Sequence, residues 1–241
     1  KPASQAAPAT AEPARKPPPP SPEEESQALN KALEASASDP QALIRNLEEF
    51  LARFPQSARR EDVLRTIFKL ALQSNDPRKA TVSAERLLEL NPNDPDLLST
   101  IIGLYDRQSD AASREKALHY ATRFLERAEK LGSEPRPPDV SAEKWEPTAA
   151  LMLATAHFMR GKVYAKAGDS DKAIDDYEKS MAAYPTPQVA EHLGDIAVKR
   201  GELERAIDAY ATAFAFPEKS LDPARRDQVR KKLGSAYVCL L

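Results

Sequence analysis

The chain has 241 residues, 41% hydrophobic and 30% charged, and 35 Lys+Arg against 37 Asp+Glu leave a formal charge of −2, which gives no global pull toward nucleic acid or acidic lipid. Seven Gly amount to about 3% against a usual ~7%, which argues against Gly-rich nucleotide loops and turn-dense β architectures. A single Cys excludes an internal disulfide framework and a Cys-based zinc cluster, and no apolar run approaches the roughly 20 residues of a membrane span.

Residues 1–22 hold eight Pro and six Ala, including Pro17 to Pro20. Such a segment buries too little apolar surface to offset its chain entropy and reads as a disordered, partly polyproline linker. It has the character of a tether behind a cleaved export signal, which favours an exported or periplasmic setting over a cytoplasmic one. Pro22 to Ser36 then predicts a weak first helix, and Leu43, Leu47, Phe50 and Pro55 its partner. Leu64, Ile67, Ala71, Ala80, Ala84, Leu87 and Pro92 predict a second pair that turns at Asp76-Pro77. Leu98, Ile101, Ile102 and Tyr105 open a third, with Ala117, Ala121 and Phe124 on its second helix and a long turn from Asp106 to Ser113. These apolar positions follow the i, i+3, i+4, i+7 period of a helix, and strand alternation is nowhere sustained. Residues 131–146, LGSEPRPPDVSAEKWE, read as a Pro-containing insertion between a divergent helical block at 23–130 and a regular one at 147–241. The chain closes on an apolar helix from Lys231 to Leu241, whose abrupt end predicts more protein beyond it.

The clearest periodicity starts at Ala154. Gly161, Tyr164, Gly168, Ala173, Tyr177 and Pro185 stand at positions 8, 11, 15, 20, 24 and 32 of one unit. From Pro187 a second unit places Leu193, Gly194, Ala197, Gly201, Ala206, Tyr210 and Ala213 at 7, 8, 11, 15, 20, 24 and 27. A partial third puts Leu233, Gly234 and Tyr237 at 7, 8 and 11. This pattern resembles the tetratricopeptide repeat, a helix–turn–helix unit of about 34 residues. The small residues at 8 and 20 let two helices touch, the aromatics fill the space between pairs, Gly at 15 ends the first helix in a left-handed cap, and Pro at 32 stops the second. The expectation is an all-α solenoid of five antiparallel helix pairs and a terminal helix, wound as a right-handed superhelix.

One helix pair cannot bury both its apolar faces, so pairs stack and leave a concave groove. The resemblance implies that the first helix of each unit lines it at positions 2, 5, 9, 12 and 13. These are Thr155, Phe158, Lys162, Ala165 and Lys166 in one unit, and Gln188, Glu191, Asp195, Val198 and Lys199 in the next. In an earlier unit they are Asp62, Arg65, Lys69, Leu72 and Gln73. With Lys and Arg at several turns, the groove suits a peptide or partner protein of some acidic character. The carboxylate clamp known in this family is not the mode expected, because its positions hold Phe158, Lys162, His192, Gln228 and Lys232, one basic match in five.

Chemistry-bearing residues are sparse. His119, His157 and His192 form no HExxH or two-His motif; His157 and His192 fall on adjacent helices but without evident further metal ligands. Cys239 has no CxxC and is expected to be a buried thiol on the apolar face of the last helix. Asp169-Ser170-Asp171 opens like a calcium loop but lacks the Gly that loop needs at its sixth position, and reads as a capped turn. Trp145 beside Pro147 reads as a staple at a helix start. No catalytic set, cofactor or metal is expected, and no helix carries the basic, aromatic stripe of an RNA-binding surface. The function expected is a noncatalytic protein-interaction scaffold, with no nucleic-acid partner and no membrane span. The alternative is a helical accessory segment of a larger exported bacterial enzyme, since the layout resembles repeat segments that precede a thioredoxin-like domain.

Overall fold

The computed structural model describes residues 21–35, 39–108 and 110–241. The segment at 1–20, read above as linker, lies outside the described residues. Its last two expected positions are Ser21 and Pro22, which cap and open the first helix.

Among the described residues there are eleven α-helices, one 3-10 turn and no strand. In chain order they are α1 (Pro22–Glu34), α2 (Pro40–Arg53), α3 (Arg60–Gln73), α4 (Pro77–Leu90), α5 (Pro95–Asp106), α6 (Ala111–Ser133), α7 (Ala142–Ala167), α8 (Ser170–Ala183), α9 (Pro187–Arg200), α10 (Leu203–Ala215) and α11 (Pro223–Leu240). The abundant Pro has a positional meaning: Pro22, Pro40, Pro77, Pro95, Pro187 and Pro223 each open a helix, where a missing N–H costs nothing. Just before them stand cap side chains. Asp39, Asp94 and Asp222 accept hydrogen bonds from first-turn backbone N–H groups, and Ser21 and Glu24 form a reciprocal capping box. Asp169 accepts from the Lys172 N–H at the start of α8, the capped turn expected there.

The chain divides into two compact units, residues 1–63 and 64–241. In the first, α1 packs on α2. Leu29, Ala32, Ile44, Leu47, Phe50 and Leu51 are buried, and the Phe50 and Phe54 rings lie 5.0 Å apart. The Ser57 hydroxyl donates to Glu25 at 2.6 Å and ties the segment after α2 back to α1.

In the second unit successive helices pack as antiparallel neighbours. Ala71 of α3, Ala80 of α4 and Leu104 of α5 share one buried cluster. Then α5 packs on α6, α7 on α8, α9 on α10 and α10 on α11. The small residues stand where the helices meet: Ala84, Ala121, Ala173 and Ala206 are wholly buried. Gly168 and Gly201 take φ of 85° and 74° and end α7 and α9 in the left-handed caps expected of them. Where the earlier unit lacks that Gly, Asn75 takes φ 51° and Asp76 caps α4.

Two boundaries differ from the sequence reading. Residues 131–146 are half helix: α6 continues to Ser133, with Leu131 buried, and α7 begins at Ala142. Pro147 lies inside α7, early enough that the loss of one i→i−4 bond does not stop the helix. The non-helical turn at 134–141 lies between α6 and α7, which pack on each other. The turn after α5 is also shorter than expected, because Asp110 accepts from both the N–H and the hydroxyl of Ser113 and starts α6 early.

Candidate functional site

The expected groove positions fall into distinct surroundings. Thr155, Phe158, Lys162 and Gln188 line a cavity of about 450 Å³ between α7 and α9, together with Leu151, Met159 and Val189. A second cavity of about 310 Å³ is lined by Lys162, Ala165, Lys166, Asp195 and Lys199, with Asp106 from α5 and His192 from α9. Lys162 borders both. Arg65 and Lys69 are on α3, exposed and away from these cavities; Arg65 reaches Asp94 at 3.3 Å. Thr155 turns its hydroxyl back to the Leu151 carbonyl at 2.7 Å.

The first cavity is apolar at its base. Phe158 packs against the cluster of Ala173, Ile174, Tyr177, Val189 and Ile196. Its ring lies 5.8 Å from Tyr177 and 5.2 Å from His192, and the Lys162 ammonium sits 5.9 Å from its centroid. Leu151, still 46% exposed, supplies an uncovered aliphatic wall. It precedes the repeat that begins at Ala154, so the repeat pattern did not single it out.

The second cavity is positive on balance. Asp106 is shared by two ammonium groups, 3.5 Å from Lys166 and 4.0 Å from Lys162, and Lys166 also donates to the Asp106 carbonyl. Lys199 is exposed and carries no ion pair among the described residues. Asp195 is taken up elsewhere: it accepts from Lys232 at 2.7 Å and from the Tyr210 hydroxyl at 2.8 Å. Burial pushes the His192 imidazole below its usual pKa, so it adds no proton near neutral pH.

Glu191 departs from its expected place. Only 1% of it is exposed, and α11 covers it: Arg225 and Lys232 each approach its carboxylate at 2.7 Å. Burial works against the Lys232 ammonium, yet its hydrogen bonds to Asp195 and Glu191 hold its pKa above the ordinary lysine value. A charge at that helix position with basic residues in the next unit was the signal available, and the sequence reading placed Glu191 in the groove without pairing it with Lys232.

The other chemistry-bearing residues are bound into packing. His157 Nδ1 lies 2.8 Å from Asp176, which also receives two bonds from Arg160, and Asp176 is wholly buried. Burial alone would raise the Asp176 carboxyl; the bonds from His157 and Arg160 hold it below the usual carboxylate range. His192 lies 5.6 Å from the Tyr177 ring. On the far side, Glu85 of α4 collects Tyr105 at 2.7 Å, Lys116 at 2.8 Å and Tyr120 at 3.3 Å, a knot joining α4, α5 and α6. Trp145 is half-buried in the first turn of α7, with its N–H on the Ser141 carbonyl at 2.9 Å. Cys239 corrects an expectation: it is exposed, not buried. No group of three or more His, Cys, Asp or Glu converges on a metal geometry among the described residues, and no helix of these is long and apolar enough to cross a membrane.

Residues 154–187, α7 from Ala154 through the α8 turn into α9, match the family model described as tetratricopeptide repeat. No curated relative matches the chain. Among solved structures, a MamA fragment (41-end) from Desulfovibrio magneticus RS-1 is similar at a TM-score of 0.55 and 16% identity, over 82% of this chain and 97% of that one. BtubC from P. vanneervenii is similar at 0.54 and 19% identity, over 88% and 80%. These likenesses concern the fold. Residues 154–187 thus form a tetratricopeptide repeat, and the chain's successive helix pairs share the fold of these structures.

Proposed function

We propose that the protein is a noncatalytic scaffold that holds a peptide or partner protein against α7 and α9. The observation that carries this reading is the pairing of the two cavities at Lys162. One is apolar, walled by Leu151 and Phe158; the other is edged by Lys162, Lys166 and Lys199 against one shared carboxylate, Asp106. An extended or helical segment with one apolar side chain and an acidic group beside it matches both halves. The apolar side chain contributes most of the affinity through burial, and the lysines set orientation and encounter rate.

The test is selection from a random-peptide library displayed on phage, followed by affinity measurement on the isolated winners. Enriched peptides should carry an acidic residue near an aliphatic or aromatic one. Lys162→Glu with Lys166→Glu should weaken them about tenfold or more, or ~1.4 kcal/mol, while circular dichroism stays unchanged. Peptides that bind wild type and double variant equally would refute the site.

A further inference from the structure

The cationic cavity beside α9 already holds a carboxylate of the chain's own. Asp106 is the last residue of α5, and its side chain stands 3.5 Å from Lys166 and 4.0 Å from Lys162 of α7. Both gaps exceed the ~2.7–2.9 Å of a charge-assisted hydrogen bond. The tight pairs nearby, Lys232 with Asp195 and Arg225 with Glu191, close to 2.7 Å. The Asp106 carboxylate is attracted by two ammonium groups and locked by neither.

The charges around the cavity do not balance. Glu191 and Asp195 are matched by Arg225 and Lys232, two against two. Lys162, Lys166 and Lys199 then face Asp106 alone, three positive charges against one negative. His192, in the same lining, is kept from protonating near neutral pH by its burial, and Ala165, Tyr177 and Ile196 add no charge. Lys166 has a second acceptor in the Asp106 carbonyl, at the C-terminal end of α5 where a cation is favoured. Lys162 and Lys199 are therefore the ammonium groups with least to hold them, and each rides on a flexible four-carbon stem.

We infer that Asp106 is an intramolecular competitor for this cavity: it takes the place that a partner's carboxylate takes on binding, and its like charge opposes the acidic group that enters. The inference rests on the binding reading above and adds to it the residue that sets how tightly acidic ligands are held. Its consequence is selectivity. Charge alone binds weakly against Asp106, so a ligand must also bring an apolar side chain for the cavity walled by Leu151 and Phe158.

The probes are a fluorescent acidic–aliphatic peptide from the library selection and the same peptide with its acidic residues replaced by their amides. Anisotropy titrations compare the whole chain as wild type, as Asp106→Asn, and as Asp208→Asn, which makes the same change of net charge at an exposed position of α10. Asp106→Asn should bind the acidic peptide about fivefold more tightly at low ionic strength, the scale of a part-exposed ion pair. The gain should shrink in ~1 M salt. Asp208→Asn should bind like wild type, and the amide peptide should not distinguish the three proteins. Equal affinity of wild type and Asp106→Asn for the acidic peptide, where Lys162→Glu with Lys166→Glu still weakens it, would overturn the inference and leave the binding site standing. Weaker binding by Asp106→Asn would overturn it as well, by making Asp106 a support for the lysines. A selection without acidic peptides, or one whose peptides ignore the lysine variant, removes the site and the inference together.

Discussion

Replacing Gly194 by Ala would put a methyl carbon 2.5, 2.6 and 2.9 Å from three atoms of the Tyr210 ring. The ring has little freedom to withdraw: Tyr210 is 3% exposed, and its hydroxyl is anchored on Asp195 at 2.8 Å. Overfilling a packed contact of this kind costs ~1–3 kcal/mol. Against it, Ala for Gly inside a helix contributes about 1 kcal/mol of propensity. The net is therefore small and hard to interpret on its own. Gly234→Ala supplies the missing reference, because it gains the same propensity and its methyl meets nothing. The two variants should differ by ~1–3 kcal/mol, with Gly194→Ala the less stable. Urea unfolding followed by far-ultraviolet circular dichroism measures the difference. Hydrogen exchange in α9 and α10 should accompany it, since repeat arrays need not unfold in one step. Equal midpoints for the two variants would refute the claim that glycine at this position is a steric requirement of the helix pair.

Glu191→Ala should destabilise by about 3 kcal/mol, the low end for a broken buried pair, because Arg225 and Lys232 are still over a third exposed and can recover water. Exchange should quicken in α11 and stay unchanged in α8. Burial lowers the His192 pKa, so below about pH 6.5 the unfolded chain takes up a proton that the folded one refuses. That share of stability is complete above the unfolded pKa and is lost as pH falls beneath it. His192→Phe should flatten the slope of urea midpoint against pH in that window, and an unchanged slope would place the titration elsewhere. Cys239 should react with an aromatic disulfide reagent in the native chain at a rate close to that in denaturant, as an exposed thiol does.

The positions that the sequence made legible are those whose role is local. Gly168 and Gly201 end helices because only their own backbone must turn left-handed, and Ala173 and Ala206 pack because helix period alone puts them on the seam. Helix count and pairing followed from such residues. What escaped was set by contacts across long stretches of chain. Glu191 looks like a groove residue from its place in α9, and only the arrival of α11 turns it into a buried anion. Cys239 was expected to be covered because its helix is apolar, yet apolar character says nothing about whether a neighbour is there. The prolines of the 131–146 segment mark its turn, while how far α6 and α7 reach into it, to Ser133 and from Ala142, has no comparable local signal.

Glu191 meets its cations 34 and 41 residues later in the chain. On the ribosome, α9 is therefore made before either charge that neutralises it exists. Until Lys232 emerges, the carboxylate keeps its water, and the seam it belongs to stays wet. A nascent polypeptide stalled between α10 and α11 exposes a hydrated, loosened edge that the folded molecule does not have, and the arrival of α11 is what dries it.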